Sequence, residues 1–110
     1  MEGNIIFVED ATLSKFNQIF GTNTSNRSQL KNYVKPGVSN VFVYYVGHGA
    51  PDLNTNDAYF VPVDGDPQYI STSGYKLQQF YDNLAKIGAK KITIVIDACF
   101  SGDSAKGMLF

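Results

Sequence analysis

The chain carries one histidine and one cysteine, and each lies in a glycine-flanked segment: Gly47-His48-Gly49 and Asp97-Ala98-Cys99-Phe100-Ser101-Gly102, the two residues fifty-one positions apart. A thiol and an imidazole brought within reach of each other form a nucleophile and its proton-transfer partner. A free thiol, with a pKa of about 8.5, is only partly ionised at neutral pH, so it needs an imidazolium or another positive field beside it to act as a thiolate. Histidine is the side chain suited to that task near neutral pH. Taken singly, each residue has a plainer reading. A lone cysteine is commonly an inert small hydrophobe, and a lone histidine is commonly structural. Their positions favour the chemical reading, because each follows directly on an apolar run.

Those runs are Val41-Phe42-Val43-Tyr44-Tyr45-Val46 and Ile92-Thr93-Ile94-Val95-Ile96. Both are apolar on both faces, as expected of strands covered on two sides in a parallel sheet, and the first is expected to be central. In such sheets, sites form at the carboxyl ends of strands, where His48 and Cys99 would meet. Upstream, Ile5-Ile6-Phe7-Val8 is a short apolar run. Asp10 or Thr12 offers a cap for a helix carrying Leu13, Phe16 and Phe20 and closed by Gly21. Leu30, Tyr33 and Val34 predict a second short helix stopped by Pro36-Gly37. Residues 50–69 read as a loop with a small hairpin around Tyr59-Phe60-Val61-Pro62-Val63. From Ser73 a further helix is expected, with Leu77, Phe80, Leu84 and Ile87 on one face, Lys86 in its last turn and Gly88 as its stop. Strands alternating with helices give an α/β three-layer sandwich with a mostly parallel sheet.

A length of 110 residues sets the default at one domain. Fifteen Phe and Tyr residues and 44% hydrophobic content predict an aromatic core. A formal net charge of -1 without runs of like charge argues against nucleic acid or an anionic membrane as partner. One cysteine permits no internal disulfide and no CxxC pair, which slightly favours a reducing, cytoplasmic location. The start lacks a basic leader, and no stretch approaches the roughly 20 apolar residues of a membrane span. Asn23 and Asn26 match the glycosylation pattern, but nothing else argues for a secreted chain. No cofactor fingerprint is present, and no metal is expected. Asp52, Asp57, Asp64 and Asp66 share one loop and could supply oxygen ligands to calcium, although turn chemistry accounts for them equally well. Ser73-Gly74-Tyr75-Lys76 matches a serine-lysine catalytic motif without its companions, so Ser73 is expected to cap a helix.

Together, Tyr45-Val46-Gly47-His48-Gly49 and Asp97-Ala98-Cys99-Phe100-Ser101-Gly102 resemble the two catalytic motifs of caspase-like cysteine peptidases, closest to the bacterial metacaspase-like branch. The interval between histidine and cysteine is that family's, about 50 residues. The resemblance implies a caspase-haemoglobinase fold and hydrolysis of a peptide or protein substrate. It makes Cys99 the nucleophile and His48 the group that moves protons. The backbone N–H groups of Gly49 and Cys99 would hold the oxyanion, such donors being worth about 3 kcal/mol each. True caspases, which cut after aspartate, carry glutamine where this chain has Asp97. The resemblance therefore implies that Asp97 lines the primary pocket and pairs with an arginine or lysine of the substrate; the plainer reading of Asp97 is a solvated strand-end carboxylate. Phe100 and Ser101 are candidates for the pocket mouth, although glycine-flanked turns often carry such residues without function. The family's first strand and its last strands have no counterpart here, so residues 1–110 read as a partial catalytic domain, completed by further strands from elsewhere or by another subunit. A reading from a different class is a catalytically silent association module with an exposed sheet edge. A thiol enzyme for a small molecule is poorer, for want of a phosphate loop.

Overall fold

Local rules account for where the first two helices begin and end in the computed structural model, which describes residues 5–22, 27–98 and 100. Helix α1 spans Leu13–Phe20. Of the two caps the sequence offers, Thr12 is the one used: its hydroxyl accepts the Lys15 N–H at 3.1 Å. Asp10 instead adopts a left-handed φ of 56° two residues earlier. Gly21, at φ 97°, ends the helix, a conformation in which a side chain would be strained. Helix α2, Gln29–Tyr33, is capped by the Ser28 hydroxyl and ends at Val34, ahead of the expected stop. The residue before a proline disfavours helical backbone, so Lys35 was already outside the helix.

Strand β1, Asn40–Val46, leads into β2, His48–Pro51, which pairs antiparallel with β3, Ala58–Val61. The expected hairpin is therefore present, but its first strand starts at His48 itself. Next come a 3-10 turn over Pro67–Tyr69 and the short helix α3, Ile70–Ser73. Strand β4, Tyr75–Lys76, pairs with β3, and α4 follows over Leu77–Ala85. The helix expected from Ser73 thus starts four residues later. Ser73 caps nothing; its hydroxyl accepts the Asp66 N–H at 2.9 Å and lies 2.9 Å from the Tyr69 carbonyl, tying the loop to itself. Gly88, at φ 79°, turns the chain into β5, Lys91–Asp97.

Strands β1 and β5 run parallel, with Val41 beside Ile92, Val43 beside Ile94 and Tyr45 beside Ile96. These side chains pack inward on a core of Phe16, Phe60, Tyr75, Phe80, Leu84 and Phe100. The core is aromatic as expected: Phe60 meets Phe80 edge to face at 5.1 Å, and Phe16 stacks on Tyr75 at 5.4 Å. The Tyr75 hydroxyl donates to the Gly21 carbonyl at 2.7 Å, so the end of α1 is satisfied from inside the core.

One expectation fails here. Strand β1 is apolar on both faces but covered on one: Phe42 is 67% and Tyr44 62% exposed, and Val46 is also exposed. Residues 5–8 form no strand. A ladder needs a neighbouring backbone, and a groove of about 1240 Å³ lined by Ile5, Ile6 and Val8 together with Phe42, Tyr44 and Val46 occupies that position. Among the described residues no helix is long and apolar enough to cross a membrane.

Candidate functional site

The parallel register decides the geometry of the site. Val46 lies beside Asp97, and one residue further on the Gly47 N–H donates to the Asp97 carbonyl at 3.3 Å. The segment bearing His48 is thereby tied to the end of the strand that leads to Cys99. Both motifs leave the sheet at the same carboxyl edge, where parallel strands collect functional groups. His48 is exposed and is among the residues lining the groove along β1. Asp97 alternates with the inward Ile96 and is exposed on the bare face of the sheet. Gly49 is half-buried opposite Phe60. Cys99, Ser101 and Gly102 lie outside the described residues. Phe100 does not line a pocket mouth. It is 3% exposed and packs edge to face on Phe60 at 5.7 Å, as a large aromatic next to an aromatic core will.

Between His48 and its strand lies a contact that the alternation of apolar residues conceals. Tyr45 reads in the sequence as one more strand residue, yet its hydroxyl donates to the His48 carbonyl at 3.0 Å. Its ring is held by Phe60, at 4.5 Å between centroids, and by Phe16 at 6.0 Å. Burial pushes the phenol up to about 12, from an ordinary value of 10.0. Gly47 is glycine for a steric reason, since a Cβ there would stand 2.7 Å from the Tyr45 hydroxyl oxygen. The signal available in the sequence was a hydroxyl-bearing aromatic two residues before a glycine at a strand end.

The four loop aspartates are each occupied separately. Asp52 accepts the Asn54 N–H, Asp66 accepts the Gln68 N–H, and Asp64 accepts the Leu13 N–H at the start of α1. Asp57 pairs with Lys76 at 3.2 Å, and its carboxyl is held below the usual value by the Thr55 hydroxyl and by Lys76. Turn, cap and ion-pair chemistry accounts for them, and among the described residues no cluster of acidic or imidazole groups could hold a metal ion. Lys76 is engaged with Asp57, which leaves the serine-lysine pattern without a catalytic arrangement.

A peptidase family model described as a caspase domain matches residues 12–109. No curated protein matches the chain, and no solved structure does.

Proposed function

The chain belongs to the caspase domain family, a family of peptidases, and on that basis we propose that it is a cysteine endopeptidase of the metacaspase-like branch, cleaving after arginine or lysine. Cys99 acts as the nucleophile, and His48 takes the thiol proton and delivers a proton to the leaving amine. The thiolate adds to the scissile carbonyl carbon, and charge develops on the carbonyl oxygen. That charge is met by the N–H groups of Gly49 and Cys99. As the tetrahedral centre collapses, the C–N bond breaks and a thioester remains, which water then hydrolyses to free the thiol and the new carboxylate. Asp97 receives the guanidinium or ammonium of the substrate residue on the acyl side.

The observation that supports this reading is the parallel register of β1 and β5, with its Gly47 to Asp97 hydrogen bond, which gathers the histidine segment and the strand leading to the cysteine at one edge. The open edge of β1 and the bare face carrying Phe42 and Tyr44 support the reading of residues 1–110 as a partial domain that receives further strands. The test uses the full-length protein and a peptidyl acyloxymethyl ketone bearing arginine. Labelling at Cys99, slowed about 100-fold or more in His48→Ala, is the expected result. Absence of labelling would leave the catalytically silent association module as the better reading. Fluorogenic peptides ending in Arg, Lys or Asp test the pocket separately, and a preference for Asp would overturn the role given to Asp97.

A further inference from the structure

We infer that Tyr45 is a positioning residue for the oxyanion donor at Gly49, acting through the peptide that joins His48 to Gly49. The inference rests on the peptidase reading above. A peptide group is planar, so the carbonyl of His48 and the N–H of Gly49 move as one rigid unit. Tyr45 donates its hydroxyl to that carbonyl at 3.0 Å; the same carbonyl faces Val61 across the hairpin, so hydroxyl and ladder together fix the oxygen and with it the direction of the N–H.

The hairpin register shows where that N–H is aimed. Pro51 stands opposite Ala58 and has no N–H to give, whereas Asp52 donates to the Asp57 carbonyl at 2.8 Å. Hydrogen-bonded and non-bonded pairs alternate along an antiparallel ladder. The even-numbered residues of β2 therefore direct their backbone groups at β3, and Gly49, opposite Phe60, directs its N–H the other way. Strand β2 is the outer strand of its sheet, in the order β2-β3-β4, so this N–H lies on the sheet's open edge. A hydrogen bond accepted by the carbonyl also polarises the peptide and strengthens the N–H as a donor.

Three further features keep the hydroxyl in place. The ring is wedged against Phe60 and Phe16, and Gly47 leaves the space that the ring and hydroxyl occupy. The phenol, raised to about 12 by burial, keeps its proton throughout the range in which a histidine-dependent peptidase works.

The experiment compares the full-length protein with Tyr45→Phe, which keeps the ring and removes only the hydroxyl. Two readouts are taken: steady-state hydrolysis of an arginyl peptide, and the backbone amide resonance of Gly49. Loss of one oxyanion donor costs about 100-fold or more in kcat, and misdirecting a donor should cost less, about tenfold, with KM within about twofold. The Gly49 amide should shift while the apparent pKa values of the pH-rate profile stay in place. A kcat equal to that of the parent protein, or a loss carried by KM alone, would overturn the inference. Should the parent hydrolyse no peptide, the peptidase reading fails on its own. The amide still decides the rest, since an unmoved Gly49 resonance in Tyr45→Phe overturns the positioning role.

Discussion

Gly47 has no room for a methyl group. Its missing Cβ would meet the Tyr45 hydroxyl oxygen at 2.7 Å and the ring carbon Cζ at 2.9 Å, both tighter than real contacts allow. Gly47→Ala should therefore cost about 1–3 kcal/mol, as overpacking does, measured by urea unfolding. In a Tyr45→Ala background most of that penalty should vanish, because the two changes share one contact. The Tyr45 phenol also makes a prediction about pH. Its folded value, about 12, lies above the ordinary 10.0, so folding favours the protonated form. The stability it contributes is complete below about pH 10 and is lost as pH rises to about 12. Burial raises Tyr59, Tyr75 and Tyr81 in the same direction. Urea midpoints taken across that interval should fall, and Tyr45→Phe should fall less steeply. A slope unchanged by Tyr45→Phe would assign the effect to the other tyrosines.

Strand β3 links the core to the candidate site. Phe60, 1% exposed, touches Phe16, Phe80 and Phe100 with one ring and seats Tyr45 with the same ring. Phe60→Ala should destabilise the fold by about 3–5 kcal/mol. Urea titration checks the magnitude, and near-ultraviolet circular dichroism should show tyrosine losing its fixed environment. The elements around β3 differ in how far they could be read in advance. Helix α1 was legible because cap, periodicity and stop are all local: Thr12, then Phe16 and Phe20, then Gly21. Strand β4 was not, because Tyr75 and Lys76 form a strand only through pairing with Phe60 and Tyr59, fifteen or more positions away. The apolar run at residues 5–8 is the reverse case, with the composition of a strand and no ladder to join.

For the molecule as a whole, the bare face of the parallel sheet is a contiguous apolar surface. Phe42, Tyr44, Val46 and Val95 are exposed together on adjacent strands, in a register that sets Tyr44 beside Val95. Contiguous apolar surface of this kind drives association. The 110-residue chain in isolation should bind a hydrophobic dye and sediment as species larger than its 12.1 kDa monomer. Replacing Phe42 and Tyr44 by lysine should reduce both effects, and a monomer that ignores the dye would show that this face is already shielded.

The sequence by itself determined that a histidine and a cysteine follow two apolar, strand-forming runs, because strand pattern and glycine punctuation act over a few residues; that the two runs pair directly in parallel register was decided by the tertiary structure. The sequence also determined the stop of α1 at Gly21 and the aromatic character of the core. Tertiary structure decided which face of β1 is covered, since an apolar pattern records what a strand is suited to pack against and not what is there. It turned Phe100 into the core, where Phe60 offers an edge-to-face partner. It gave each loop aspartate its own backbone donor or cation in place of a shared ion. And it laid the Tyr45 hydroxyl on the His48 carbonyl, a contact that depends on a ring held from across the core by Phe60 and on a glycine that leaves it space.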